Sequence, residues 1–170
     1  ERGDAGHPDE GLREEGGGDR LHGRRWAATR ISASVFSRCG ASGGDMDTFT
    51  VETDARLTTA DVTDRVRDAL APDATGTATA FVRHTTAGLV VNEAEGRLLA
   101  DVETMLSDLV PDEGWRHDEI DDNADSHLRA LLLGGGVTLP VTDGDLDLGT
   151  WQSVLLVECD GPRSRTVDVR

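Results

Sequence analysis

The chain has 170 residues, enough for one domain with a real core, and sets 33 acids against 17 cationic side chains, all arginine, for a net charge of −16. That charge excludes a nucleic-acid footprint, and no apolar run approaches the roughly 18 residues needed to cross a bilayer. Two cysteines, Cys39 and Cys159, make no disulfide framework, and the N-terminus lacks the basic-then-apolar order of a signal peptide, so the expectation is a cytoplasmic protein with no membrane partner.

Residues 1–45 balance 7 arginines against 8 acids, carry much glycine and show no sustained periodicity apart from one short apolar stretch, Arg30 to Phe36. They read as a disordered N-terminal extension. Met46, where charge character and periodicity change, reads as a natural start, and residues 46–170 as the folded domain. That part sets 10 arginines against 25 acids. Such self-repulsion becomes tolerable when salt shortens the Debye length to about 3 Å at 1 M, which points to a salt-loving (halophilic) source. Unfolding followed against salt is expected to show stability rising with concentration; equal stability at low and high salt would contradict this.

Phe49 and Val51 alternate with polar neighbours as a half-buried strand does. Thr58 then reads as a helix start, with Asp61 three residues on and Val62, Val66 and Leu70 on one face before Pro72. Thr77 to Arg83 and Gly88 to Val91 read as strands. Leu98, Val102, Met105, Leu106 and Leu109 recur at helical spacing from about Ala94 to Leu109, and Pro111 ends that helix. After a charged connector, Trp115 to Asp121, a third helix is capped by Asp122 or Asn123. Its expected buried stripe is Ala124, Leu128, Leu131 and Leu132, and the triplet Gly134 to Gly136 stops it. Val137 to Val141, Leu146 to Leu148, Gln152 to Cys159 and Arg165 to Val169 read as four strands, with a tight turn at Asp143-Gly144. The mixture predicts an α+β fold, a largely antiparallel sheet or sandwich with about three helices.

Three histidines, His84, His117 and His127, lie in the domain. Imidazole acts as acid, base or neutral metal ligand near neutral pH, or simply packs. His127 lies four residues after Asn123 and four before Leu131, which turns it inward near the positive end of its helix. Glu158 interrupts an apolar run on the face of Val154 and Leu156, so it needs a partner: a metal, a proton, or a cation at a charged strand end. Cys159 alternates to the opposite face and reads as packing. Trp151 reads as a buried anchor or pocket wall, with Thr150 and Gln152 able to position a polar group. Asn92-Glu93 reads equally as a strand end and helix start or as a binding pair. Asp122 either caps its helix or orients a histidine.

Several of these residues recur together: His84-Thr85-Thr86, Asn92-Glu93, His117, Asp122-Asn123 with His127, Gly149-Thr150-Trp151-Gln152 and Glu158. As an ordered set from about Asp47 to Arg170 they resemble the YjbQ family, also called the secondary thiamine-phosphate synthase enzyme family. The resemblance implies a small α+β protomer in a homotrimer with sites near subunit boundaries. It implies a weak, secondary ability to join a hydroxymethylpyrimidine diphosphate to a thiazole phosphate, giving thiamine phosphate and pyrophosphate. His84, His127 and Glu158 are then the catalytic candidates. Asn92, Glu93, Thr150, Trp151, Gln152 and Arg129 are the substrate-binding candidates, with Arg83, Arg163 and Arg165 as further cations for a diphosphate. His84, His117, His127 and Glu158 are the candidate ligands of a divalent metal, zinc or magnesium. The alternatives are a non-catalytic metal- or metabolite-binding trimer and a metal-dependent hydrolase of a phosphorylated metabolite. Family members often carry small hydroxyl residues where this chain has Gly135 and Gly136, which weakens any hydroxyl contact to phosphate there.

Overall fold

A computed structural model describes residues 46–170; the expected extension over 1–45, the Arg30 to Phe36 strand and any role for Met46 as initiator lie outside or at the edge of that range. Eight strands and four helices succeed one another in the order β1 (Asp47–Glu52), β2 (Thr58–Asp61), α1 (Thr63–Asp68), β3 (Gly76–Val82), β4 (Ala87–Asn92), α2 (Gly96–Leu109), α3 (Asp118–Asp121), α4 (Ala124–Leu133), β5 (Gly136–Thr142), β6 (Asp145–Leu146), β7 (Ser153–Glu158) and β8 (Ser164–Val169). Every strand pairing is antiparallel. One sheet runs β1-β8-β3-β5-β6 and the other β2-β7-β4, so the α+β expectation holds. Among the described residues no helix is long and apolar enough to cross a membrane.

The alternation along each strand sorts side chains into two clusters. Phe49, Val51, Val82, Leu89, Leu139, Val154, Leu156 and Val167 fill the space between the sheets. Val157 and Cys159 point from β7 to the other side and meet Leu106 of α2. Cys159 is therefore packing, as expected, and burial pushes its thiol up to about 12, which leaves it unreactive near neutral pH.

Three elements depart from the sequence reading. Thr58 to Asp61 is a strand, because it pairs with Leu155 to Glu158 along the edge of β7; the β-branched Thr58 and Thr59 suit that pairing better than a helix. Asp61 then leads into α1, its Oδ1 accepting from the Thr63 amide at 2.9 Å. The charged connector contains a one-turn helix, α3, which makes four helices among the described residues. In α4 the inward face mixes small and polar residues: Ala124 is buried as expected, together with Asp125, Ser126, Arg129 and Ala130, whereas Leu131 and Leu132 are 77% and 59% exposed. The reason lies in Arg129, whose Nε and Nη2 donate to the Leu106 and Val110 carbonyls at the end of α2 while Nη1 meets Asp125 at 2.6 Å. A cation at a helix C-terminus answers carbonyls that have no intrahelical partner, so an arginine fastens the two helices where leucine cannot.

Gly88 sets how closely α4 approaches the small sheet. A Cβ there would stand 2.5 Å from that of Leu133 and 2.9 Å from the Gly134 carbonyl oxygen, whose bond from the Leu89 amide, 3.1 Å, ties the helix end to β4. That tie carries His127 toward the end of β4 where Ala87 pairs with Glu158.

Candidate functional site

Glu158 ends β7 on the face that looks between the sheets, and it is fully buried. Arg165 grips it with two bonds, Nε to Oε2 at 2.6 Å and Nη2 to Oε1 at 2.5 Å. Thr53 Oγ1 donates to Oε2 at 3.1 Å and the Asp160 amide to Oε1 at 2.7 Å. Each carboxylate oxygen thus accepts two hydrogen bonds, and the partner the sequence demanded is a bidentate arginine. Arg165 is itself only 3% exposed and also donates to Thr86 Oγ1 at 2.9 Å. The pair joins β7, β8 and the turn before β4, and neither member faces solvent.

His84 sits beside that pair, two residues beyond β3. Its Nε2 accepts from the Thr166 amide at 3.1 Å, so in the neutral ring the proton is on Nδ1. Burial first, and the Arg165 charge second, push the imidazole below its ordinary value of 6.5, with Glu158 opposing. The folded state therefore favours the neutral ring. The unfolded chain takes up its proton first as pH falls, so this contribution is present above 6.5 and is lost as pH drops from there through the lowered value. Denaturation curves are expected to show stability falling with acid in that window, and His84→Gln to flatten that part of the profile; an unchanged profile would remove the assignment.

His127 projects from the first turns of α4 and is half-buried. With His84, Thr85, Leu128, Leu131 and Gly135 it lines a cleft of 380 Å³. On its other side, with Trp115, Arg116, His117, Ala124 and Leu128, it lines a second cleft of 420 Å³. The rings of His117 and His127 stand edge to face, 5.2 Å between centroids. His117 precedes α3, and its Nε2 lies 4.0 Å from Asp121 Oδ2. Asp122 does not cap α4: it has φ 50° and closes α3, while the Ala124 amide is capped by Asp118 Oδ1 at 3.2 Å. A one-turn helix therefore does the capping, which the sequence spacing hid.

The remaining candidates lie elsewhere. In the register of β4 on β7, Ala87 faces Glu158 and Asn92 faces Ser153, so Asn92 and Glu93 stand about 17 Å along the sheet from the histidine end. Asn92 Oδ1 accepts from the Glu93 amide at 2.9 Å. Thr150, Trp151 and Gln152 share that far end, and Gln152 Oε1 closes the turn by accepting from the Gly149 amide at 2.9 Å. Trp151 is 73% exposed, so within one chain it is neither a buried anchor nor a pocket wall. Arg129, bound to Asp125, Asp112 and two carbonyls, is buried and turned away from both clefts' open space. Arg83 and Arg163 each hold a carboxylate, Asp168 at 2.5 Å and Asp160 at 3.0 Å.

Comparison with known proteins establishes kinship. The sequence profile of the family described as UPF0047 protein YjbQ-like matches residues 47–170, the whole of the described fold but its first residue. The chain belongs to this family. A UPF0047 protein of Methanothermobacter thermautotrophicus is 45% identical over 139 residues, covering 78% of this chain and 95% of that protein. A hypothetical protein from Aeropyrum pernix K1 has the same fold with TM-score 0.71 and 42% identity over 74% of this chain and 96% of its own. A YbjQ-like protein of unknown function from Sulfolobus solfataricus P2 gives 0.68 and 38% over 73% and 93%.

The zinc or magnesium set suggested by the resemblance is not gathered among the described residues of this one chain. Among the described residues no three His, Cys, Asp or Glu side chains gather as a metal group. Glu158 is saturated by Arg165, Thr53 and Asp160, and His84 has its Nε2 lone pair on the Thr166 amide. The sequence reading also passed over Arg116 and Trp115, because a charged connector gives no periodic signal; their only cue is adjacency to His117.

Proposed function

We propose that this protein holds small phosphorylated heteroaromatic metabolites on either side of His127 and carries thiamine-phosphate synthesis as a weak secondary activity. The observation that carries the reading is His127 as common wall of two clefts, each with a second histidine, His84 in one and His117 in the other. Joining two substrates needs two adjoining compartments with the reacting atoms between them. In the reaction the thiazole nitrogen lone pair forms a bond to the pyrimidine methylene carbon. The bond from that carbon to the diphosphate oxygen breaks, and its electron pair leaves with the diphosphate. This displacement asks for charge stabilisation rather than a protein nucleophile. In this reading His117, His127 and Arg116, which line one cleft, donate hydrogen bonds to the departing oxygens, and neutral His84 donates from Nδ1 to the other substrate. Glu158 is scaffold, holding Arg165 and through it the turn that carries His84.

The homotrimer belongs to the same proposal. Leu131, Leu132, Met105, Leu109 and Trp151 are more than half exposed, a pattern that an assembly would cover. A neighbouring protomer is the means by which the Asn92 and Trp151 end would meet the histidine end. A second reading, a metabolite-binding trimer without turnover, is favoured by the saturation of Glu158, which is engaged by Arg165, Thr53 and the Asp160 amide rather than open as a base beside His84. Steady-state formation of thiamine phosphate from both precursors by the full chain at high salt tests the proposal. Slow turnover, below about 1 per second, is expected for a secondary activity. A rate equal to that without protein would leave the binding reading.

A further inference from the structure

On β7, Val157 meets Leu106 of α2, and alternation puts Leu155 on the same side. Partners across an antiparallel pair share a side, so Thr59, opposite Val157, and Val90, opposite Leu155, also look toward α2. Of the 14 residues of α2 only Leu106 is buried, so the helix covers this face without filling it. Between them lies a cavity of 170 Å³ walled by Val90, Leu99, Val102, Leu133 and Val157. Its polar lining among the described residues is Thr59 and Asn92, and Asn92 is exposed with its Oδ1 on the Glu93 amide.

Thr59 stands out. It is 9% exposed, and its buried Oγ1 has no hydrogen-bond partner among the described residues. A buried hydroxyl left unpaired costs free energy, which an occupant of the cavity able to hydrogen-bond recovers. A single water is poorly suited, since it needs about two to four polar partners and the walls around Thr59 are apolar. The Thr59 amide is already engaged, donating to Glu103 Oε1 at 3.1 Å, which leaves the hydroxyl as the group on offer. Burial pushes the Glu103 carboxyl above its ordinary value of 4.5, with the Thr59 amide opposing, so this side of α2 is a poor place for a further negative charge.

We propose that the space between α2 and the β2-β7-β4 sheet is a further binding site, separate from the histidine clefts, for a small uncharged molecule with an aliphatic body and one hydroxyl that pairs with Thr59 Oγ1. Its volume is close to that of an engineered apolar cavity of about 150 Å³ that takes benzene, so the occupant has about six non-hydrogen atoms. The site does not depend on what the histidine clefts bind.

Cyclopentanol and methylcyclopentane, alike in size and differing by a hydroxyl, are the probes, and methyl resonances of the full chain are the readout. Both are expected to shift Val90, Val102 and Leu133. Thr59→Val, which keeps the side chain's shape, is expected to weaken cyclopentanol about fivefold and to leave methylcyclopentane within about twofold or tighten it. Thr59→Ser retains the hydroxyl and should hold cyclopentanol more tightly than Thr59→Val does. Val102→Phe, which fills the space, should abolish the shifts from both probes. Denaturation midpoints should stay level or rise in Thr59→Val, because an unpaired hydroxyl is removed; a fall would mean that the hydroxyl is already paired and would overturn the proposal. So would the absence of any shift with cyclopentanol, shifts confined to residues lining the His127 clefts, or a Thr59→Val chain that binds cyclopentanol as the native one does or loses both probes equally.

Discussion

Glu158→Ala is expected to lower folding stability by about 3–5 kcal/mol, the cost of leaving a buried charge without its partner. Arg165 would remain 3% exposed with only the Thr86 oxygens to answer it. The Asp160 amide would lose its acceptor as well, while the Thr53 hydroxyl keeps the Arg163 carbonyl at 3.0 Å. The double replacement Glu158→Leu with Arg165→Met should be milder than the sum of the single changes, because it removes both charges at once. Chemical denaturation midpoints measure all of these. Were Glu158 instead an open catalytic base or metal ligand, Glu158→Gln would abolish turnover at nearly native stability, which the bidentate grip of Arg165 argues against.

His127→Ala is expected to act the other way, lowering thiamine-phosphate turnover by about 10²–10⁴ while costing little stability. The side chain is half-buried and holds no hydrogen bond to another element; its contact is the His117 ring at 5.2 Å. Removing it opens the two clefts into each other, so both substrates lose their common wall. His117→Ala should be milder, since it alters one compartment. Rates and denaturation midpoints on the same preparations decide this, and native turnover in His127→Ala would contradict the assignment.

The sequence was most legible where one residue type carries one meaning. Alternation in β7 placed Val154 and Leu156 in the core and Glu158 beside them in need of a partner, and the partner is Arg165. It could not name that partner, because the two strands meet through the fold rather than through spacing. Helical periodicity located α4 and its buried Ala124 but turned Leu131 and Leu132 inward, since apolar content outweighed an arginine that satisfies the carbonyls of another helix. Thr58 to Asp61 failed for a similar reason: a possible cap pattern was overridden by pairing with β7. Of the residues the family motifs group, His127 lines one cleft with His84 and another with His117, whereas the register of β4 puts Asn92 at the other end of the sheet.

The most direct test monitors the imidazole proton resonances of His84, His117 and His127 while each precursor is added to the full chain. Hydroxymethylpyrimidine diphosphate should shift His117 and His127, and the thiazole phosphate should shift His84 and His127. Movement of none of the three while both precursors bind would contradict a site built around His127.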